Sequence, residues 1–289
     1  MKIDRKALLD AAETVRPALA AKEVVEEMCH LWSDGATLPA YNDTSLGMSV
    51  PFASELRGGV RGTILLGILA NSRAKEVEVL PEGEGAVLRA GKTRLRLALL
   101  PTERGLWRVP ATPKGKGSGL PRGFVEALKA VRVSSGGVGG APEQLGIVVS
   151  ADATSVHLLA TDSETIAWKT VPRPADWRED VPRMILPLPF VEQLVRLADE
   201  KTRLFVLKGV EAVGDEKANG VLAETGSGVR IFARLVDAPK PIDLAKMATE
   251  NLRETDPVPV PPRLRLALER AVVMLDGRDD EFVDVEVKG

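Results

Sequence analysis

The side chains that could do chemistry in this sequence are few, and their spacing does not suit a catalytic or metal site. Gly91-Lys92-Thr93 resembles the end of a phosphate-binding loop. That loop needs glycine at position 86, where this chain has Ala86, and a following helix, where a strand is predicted. His30 and His157 lie in strand-like runs without a cysteine or histidine partner at metal-ligand spacing. These residues therefore predict neither a nucleotide site nor a metal site.

The carboxylates and the thiol are equally poor candidates for catalysis. Asp43 and Asp162 occupy equivalent places in two similar stretches of the chain. Catalytic carboxylates rarely occur once per repeat, so we interpret both as turn-forming acceptors. The acidic cluster at 276–281 lacks the residue order of a calcium loop and is interpreted as a solvated turn. Cys29 lies in an apolar run and is expected to be buried and unreactive. We predict no catalytic residue, no metal, no cofactor and no enzymatic activity.

The two aspartates belong to a pattern that recurs at a spacing of roughly 120 residues. In each copy a helix-like segment is followed by a hairpin and by a strand that ends in an Asp-containing turn. Copy one covers 5–44 and copy two covers 122–163, whereas a third copy begins at 263 and offers one helix and one strand. Repetition on this scale builds an extended surface, so we expect architecture to carry more of the function than any single reactive residue.

Hydrophobic periodicity assigns two helices and several short strands to each of the first two copies. The predicted helices are the first segment, with Leu8, Val15 and Leu19 on one stripe, and residues 63–72, 122–131 and 190–197. The predicted strands are 46–50, 76–80, 86–90, 94–99, 146–150, 156–160, 165–171, 204–207, 221–224 and 229–235. A hairpin is predicted around Asp34-Gly35, with Pro39 on an edge strand. The order predicts an α+β fold of tandem pseudo-repeated domains, each with two helices packed on antiparallel sheets.

Composition agrees with a globular protein that carries its positive charge on its helices. The 289 residues are 44% hydrophobic, which suffices for two or three packed domains. The formal net charge is −2, yet the helical windows 1–22, 57–75, 121–132, 188–203 and 262–270 carry +10 together, which leaves −12 for the remainder. Such a layout is typical of a protein that meets a polyanion on one surface. The alternative is that lysine and arginine are simply good helix formers.

The N-terminus indicates that the protein stays in the cytoplasm. Lys2, Asp4, Arg5 and Lys6 stand where a signal peptide needs an apolar stretch. The chain also contains no apolar run of the ~18 residues that a membrane-spanning helix requires. Neither export nor membrane insertion is expected.

Several segments together resemble a known family. They are Leu88-Arg89-Ala90-Gly91-Lys92-Thr93-Arg94-Leu95, Leu159-Ala160-Thr161-Asp162-Ser163, Arg234-Leu235-Val236-Asp237 with the nearby Pro241, and 264–275. Their order and spacing over some 280 residues resemble the bacterial DNA polymerase III beta subunit, the sliding clamp. The resemblance implies a DNA clamp fold with domains at 1–112 and 121–245, a linker at 113–120, and a truncated start of a third domain at 246–289.

The resemblance also implies a function and its partners. Members of the family form an oligomeric ring of six similar domains, with helices around a central hole through which double-stranded DNA passes. The ring tethers the replicative DNA polymerase, is placed by a clamp loader, and catalyses nothing itself. The expected partners are therefore duplex DNA, polymerase, clamp loader and other copies of the chain. The short third domain leaves ring closure open, and a clamp-fold decoy or partner-binding module that does not close is the alternative.

Two sets of site residues follow from the resemblance. The basic residues expected to contact DNA phosphates are Arg5, Lys6, Arg16, Lys22, Arg61, Arg73, Arg122, Lys129, Arg132, Arg196 and Arg203. The residues expected to form the pocket for partner peptides are Leu159, Thr161, Ser163, Ile166 and Pro241. The glycine- and lysine-rich segment 114–119 is interpreted as a flexible linker rather than a phosphate site.

Overall fold

The structure is a computed structural model, and it describes residues 2–20, 22, 25–42, 46–83, 85–105, 109–115, 117–136, 141–177, 183–211 and 217–236. The chain divides into two compact units, Met1–Ala245 and Lys246–Gly289, and every described residue belongs to the first. The helix and strand predicted for the third copy, together with Asp43 and Pro241, lie outside the described residues.

The two copies have the same order of elements. Copy one contains β1 (Lys2–Asp4), α1 (Arg5–Val15), β2 (His30–Ser33), β3 (Thr37–Tyr41), β4 (Leu46–Pro51), β5 (Gly58–Arg61), α2 (Gly62–Asn71), β6 (Glu76–Glu82), β7 (Gly85–Ala90) and β8 (Thr93–Leu100). Copy two contains β9 (Ser118–Gly119), α3 (Phe124–Val131), β10 (Gly146–Ala151), β11 (Ser155–Thr161), β12 (Ile166–Pro172), β13 (Met184–Pro187), α4 (Leu188–Leu197), β14 (Arg203–Glu211), β15 (Lys217–Glu224) and β16 (Arg230–Arg234). The predicted α+β class with antiparallel sheets and two helices per repeat is confirmed.

The helices form because each has an apolar face to bury. In α1 the buried residues are Leu8, Ala11, Ala12 and Val15, which recur at helical spacing, and the side chain of Asp4 caps the first turn by accepting a 2.7 Å bond from the Ala7 amide. In α2 the interruption at Gly67 does not end the helix, because Gly67 lies on the exposed side. Burial of the leucines on the opposite side of α2 outweighs the low helix propensity of one glycine.

The strands form three antiparallel sheets, and one of them spans both copies. The first has the order β1-β6-β7-β8-β5-β2, and the second has the order β12-β11-β10-β13. The third has the order β3-β4-β16-β15-β14-β9, so β4 of copy one pairs with β16 of copy two, with Ser49 opposite Arg230 and Leu46 opposite Ala233. This shared sheet joins the two copies through backbone hydrogen bonds.

The predicted hairpin around Asp34-Gly35 is wrong, because β2 and β3 belong to different sheets. A type I′ turn needs positive φ at both central residues, but here only Gly35 has it, at φ 89°. The carboxylate of Asp34 instead accepts bonds from the amides of Ala36 and Thr37, at 2.9 and 2.7 Å. The chain therefore turns out of one sheet into the next. Pro39 lies on an edge strand, as predicted.

The shared sheet is covered on both faces. Leu38, Met48 and Ile231 belong to the same buried core as the apolar faces of all four helices. The alternate residues Tyr41 and Phe232 face the other way and pack with residues that include Met28 and Val109, from segments outside the sheet. Within the predicted linker 113–120, Ser118–Gly119 forms β9, a strand too short to show any periodicity in the sequence.

Candidate nucleic-acid interface

The four helices lie in a row in the order α2, α1, α4, α3. Helix α1 packs beside α2, and α3 packs beside α4. The two pairs meet where Nη2 of Arg196, in the last turn of α4, donates a 2.6 Å hydrogen bond to the carbonyl of Thr14 near the end of α1. Both α1 and α4 pack on the same face of the shared sheet. Arg196 thus links the helix pair of copy two to the helix pair of copy one.

Arginines bind the C-terminal ends of neighbouring helices at two points in this row. Arg5 donates from Nη1 to the carbonyl of Leu69 at 2.8 Å and from Nε to that of Ala74 at 2.9 Å, both at or just after the end of α2. Arg196 does the same for α1. The last carbonyls of a helix carry partial negative charge and lack partners inside the helix, so a guanidinium both pairs with them and complements the dipole.

The predicted DNA contacts fall into two groups. Three of them make hydrogen bonds that hold the fold: Arg5 and Arg196 as above, and Arg203, whose Nη1 donates to the Gly117 carbonyl at 2.7 Å and to Asp176 at 3.0 Å. Arg203 lies on β14, beyond the end of α4. The other eight are exposed and lie on the helices or in the segments beside them: Lys6, Arg16, Lys22, Arg61, Arg73, Arg122, Lys129 and Arg132.

The exposed helical surface carries mixed charge. Helix α2 has no charged residue at all, and the four cations of the window 57–75 lie before or after it. Asp10, Glu126 and Glu192 are exposed on the other helices. Arg16 makes a 3.2 Å ion pair with Glu13. Burial lowers the pKa of Arg196 from its usual value, and the charge of Glu13 opposes that change. The positive charge is therefore concentrated at the ends of the helices rather than along their length.

Residues predicted to form the peptide pocket lie together on the face of the second sheet that points away from the helices. Thr161 pairs with Ile166, and Leu159 pairs with Trp168, so these side chains share one face of β11 and β12. Leu159 is 2% exposed, whereas Ile166 is 40% exposed. Ser163 follows in the connecting turn, where its hydroxyl accepts a 2.8 Å bond from Nε2 of Gln144. Pro241 lies outside the described residues.

The turn at the edge of this pocket is held by Asp162. Its carboxylate accepts bonds from the amides of Glu164 and Thr165, at 3.0 and 2.6 Å, and from the Thr165 hydroxyl. Donation by the Thr165 amide is the main reason that the pKa of Asp162 lies below its usual value. The turn-forming role predicted for Asp162 is confirmed, and the same prediction for Asp43 falls outside the described residues.

The sequence predicted Leu159 as part of this pocket but not the apolar residues packed around it. Val148, Leu159 and Ile185 form a buried cluster, with Trp168 and Val236 packed against it. The indole Nε1 of Trp168 is buried without a hydrogen-bond partner in the part of the chain that the structure describes. The available signal was the strand register, since Leu159 stands opposite both Val148 and Trp168.

The residues considered for chemistry have ordinary structural roles. Gly91, at φ 62°, turns the chain between β7 and β8, so Gly91-Lys92-Thr93 precedes a strand as predicted. Cys29 is buried, also as predicted. His157 lies between Asp152, at 2.9 Å, and Thr170, at 3.1 Å. Within the described ranges no group of three or more acidic, histidine or cysteine side chains could hold a metal ion.

None of the helices in the described residues is both long enough and apolar enough to cross a bilayer.

Comparison with known proteins supports the architecture. No family model matches the sequence. Among solved structures, the chain is similar to the Helicobacter pylori beta clamp bound to a DNA ligase peptide, with 15% identity and a TM-score of 0.70 over 88% of this chain and 70% of that one. It is also similar to the DNA polymerase beta subunit of Streptococcus pyogenes, with 14% identity and a TM-score of 0.74 over 96% of this chain and 75% of that one.

A third similar structure is the DNA polymerase sliding clamp of Caulobacter crescentus, with 18% identity and a TM-score of 0.70 over 88% of this chain and 68% of that one. At 14–18% identity these likenesses bear on the fold. The resemblance found in the sequence is confirmed at that level: this chain has the sliding-clamp fold of the DNA polymerase III beta subunits.

Proposed function

We propose that this protein is a DNA sliding clamp, a polymerase processivity factor that encircles duplex DNA. The observation that carries the proposal is the sheet that continues from copy one into copy two, with α1 and α4 packed on one of its faces and α2 and α3 packed beside them. A row of helices that is joined in this way can curve around a rod-like ligand while the sheets form the outer wall. Retention then comes from topology, and the protein needs no catalytic residue.

Sliding requires phosphate contacts that exchange easily and do not depend on base sequence. The exposed cations beside the helix ends suit this task, because lysine and arginine on flexible side chains can follow the DNA backbone. We assign the DNA contacts to the eight exposed residues Lys6, Arg16, Lys22, Arg61, Arg73, Arg122, Lys129 and Arg132. Arg5, Arg196 and Arg203 are assigned to holding the fold, since their guanidinium groups donate to backbone carbonyls of distant segments.

Ring closure is proposed to reuse the junction seen inside the chain. In that junction β4 pairs with β16, and the counterpart of β16 in copy one is β8. Strand β8 pairs with β7 along Thr93 to Ala98 and with β5 only at Leu99 and Leu100. Its second edge thus has no ladder partner among the described strands over most of its length. A strand of the β4 type from another copy would extend the sheet there and generate an oligomeric ring.

Partner proteins are proposed to bind the surface of copy two that contains Leu159 and Ile166. The domain boundaries are proposed to be those predicted from the sequence. The replicative polymerase and the clamp loader would both present a peptide with large apolar side chains to this surface. Its exposed Ile166 and nearly buried Leu159 provide an apolar wall next to the Asp162 turn. A cytoplasmic location and the absence of enzymatic activity belong to the same proposal.

The test is retention on DNA. Purified protein is loaded on nicked circular DNA with a clamp loader, and the bound fraction is measured by gel filtration before and after the circle is cut. We expect protein to stay on the circle and to leave the linear form. Charge reversal at Lys6 and Lys129 is expected to abolish retention, whereas the same change at the strand residues Lys169 and Lys208 is a matched control. Equal binding to linear and circular DNA, or a monomer by native mass spectrometry, would reject the proposal.

A further inference from the structure

A cavity of about 320 Å³ lies at the junction of the two copies, on the side of the shared sheet that faces away from the helices. Its walls include Trp32 and Pro39 from copy one, Val109 and Pro110 from the segment between the copies, and Arg230 from copy two. The volume is at the lower end of the ~300–1,000 Å³ that ligand pockets span, which suits one or two side chains rather than a cofactor.

The walls of this cavity are mostly apolar and are well anchored. Trp32 is 8% exposed, and its Nε1 donates a 3.1 Å bond to the Glu27 carbonyl. A methyl group added at Gly59 or Gly105 would come within 3.0 or 3.1 Å of the Trp32 ring, so both glycines are in close contact with it. The indole is therefore fixed in position before any ligand arrives.

Internal repetition relates this cavity to the proposed peptide surface of copy two. Trp32 pairs with Gly59, three residues before α2 begins, and Val148 pairs with Ile185, three residues before α4 begins. Pro39 lies two residues before the end of β3, as Leu159 does in β11. Trp32 and Pro39 thus stand in copy one where Val148 and Leu159 stand in copy two. The cavity is the copy-one counterpart of that surface.

The charged groups of the cavity differ in what they can still bind. Asp34 already accepts bonds from the amides of Ala36 and Thr37 and from the Thr37 hydroxyl. Arg230 uses Nη1 for the Pro110 carbonyl, at 3.0 Å, and Nη2 for the Ser49 hydroxyl, at 3.3 Å. A guanidinium has five N–H donors, so these two bonds leave donors for an anion. The cavity therefore offers an apolar wall next to a cation.

We propose that this cavity is a second peptide-binding site, and that its ligand is an extended segment of another protein with an aromatic side chain followed by a carboxylate. The aromatic ring would pack against Trp32 and Val109, and the carboxylate would bind Arg230. Paired aromatic rings contribute beyond the area that they bury, and a charge-assisted hydrogen bond between arginine and a carboxylate is stronger than one between neutral groups. This site requires no DNA and no ring, so it can exist even if the clamp function is wrong.

The test measures binding of synthetic peptides to the full chain labelled with 5-fluorotryptophan, by fluorine NMR. The Trp32 signal is assigned with Trp32→Phe. The probe is an acetylated, amidated hexapeptide whose only large side chains are a phenylalanine and the glutamate that follows it. Its matched controls replace the phenylalanine with alanine or the glutamate with glutamine. We expect the probe to shift the Trp32 signal in a saturable way, and each control to bind at least tenfold more weakly.

Variants then locate the site. Ala111 is exposed and lines the cavity, so Ala111→Trp fills the cavity without removing core atoms, and it should weaken probe binding at least tenfold. Ala53 is exposed and does not line the cavity, so Ala53→Trp is the matched control and should bind normally. Ile166→Glu disrupts only the copy-two surface and should also bind normally.

Two outcomes overturn the proposal. One is no saturable shift with the probe. The other is binding that Ile166→Glu abolishes and Ala111→Trp leaves unchanged, which would place the peptide on the copy-two surface alone. Retention on circular DNA is scored separately, so failure of this site and failure of the clamp function are distinguishable.

Discussion

Arg196 binds Thr14 across the junction between the two copies. The bond runs from Nη2 to the backbone carbonyl, is 2.6 Å long, and joins residues 182 positions apart. This bond ties α4 to α1 in the helix layer, and the pairing of β4 with β16 joins the two copies in the sheet layer. Two attachments on different layers set the angle between the copies, and in a clamp that angle would decide whether a ring closes.

Arg196→Ala is expected to loosen this junction. The change leaves the Thr14 carbonyl without its charged donor, so we predict a loss of stability of about 1 kcal/mol, kept small by the exposure of the site. Hydrogen exchange should increase at the end of α1 more than in the rest of the helix. Arg132→Ala, at an exposed arginine just after α3, serves as the control in thermal unfolding. Equal effects of the two changes would contradict a special role for Arg196.

Alanine substitutions at Gly67 and Gly58 are predicted to change the stability of the protein in opposite directions. Gly67 lies on the exposed side of α2, and a methyl group there meets nothing within 4 Å. Gly67→Ala should therefore stabilise the protein by roughly 0.5–1 kcal/mol through helix propensity. Gly58 has φ 107°, and a methyl group would lie 2.4 Å from the Leu100 carbonyl oxygen. Gly58→Ala should destabilise by at least about 1 kcal/mol. Urea unfolding of both variants measures the difference in sign.

Ser163 has φ 79° and is the one non-glycine residue with positive φ in the described ranges. A β-branched side chain is strongly disfavoured in that conformation, whereas glycine adopts it freely. Ser163→Val should thus be less stable than Ser163→Gly by about 1–2 kcal/mol. Chemical denaturation of the two variants tests this order. Similar stabilities would mean that the turn has a different backbone conformation.

Asp152 is predicted to make stability depend on pH in the acid range. The pKa of Asp152 lies well below the usual value of an aspartate. The main cause is its hydrogen bond with His157, followed by the bonds that it accepts from the amides of Thr154 and Ser155. A carboxyl whose folded pKa is depressed contributes stability above its unfolded pKa of ~3.9, and loses it as pH falls towards the folded value. Wild type should therefore lose more stability than Asp152→Asn between about pH 5 and pH 2.5, as measured by thermal unfolding. Parallel curves would argue against the bond.

Local pattern was enough to predict the four helices and most of the strands, but not β1, β5, β9 and β13, which have two to four residues each and are too short to show a periodicity. The apolar stripe of α1 and the alternation in β8 are periodicities within one segment, and they were predicted because burial on one face imposes them. The helix predicted at 63–72 despite Gly67 is present as α2. The internal repeat could be recognised in the sequence because the same helices and strands recur in the same order in both copies.

The relationships between distant segments were not predictable in this way. Asp34-Gly35 fits the composition of a hairpin turn, but pairing is decided by which strand each edge meets, and β3 and β2 border different sheets. Likewise, Arg5 and Arg196 are basic residues on helices, as a DNA-lining residue would be. Their side chains bind carbonyls 64 and 182 residues away, and no feature within their own segments indicates this.

The joining of β4 to β16 also constrains how the molecule reaches its native state. Ser49 and Arg230, opposite each other in that ladder, are 181 residues apart. Closing so long a loop is entropically costly, and chains with many such distant pairings fold slowly. During synthesis, β3 and β4 are made long before β16, the strand with which β4 pairs. Until then the open edge of β4 can pair with other chains, so the nascent first copy is exposed to aggregation.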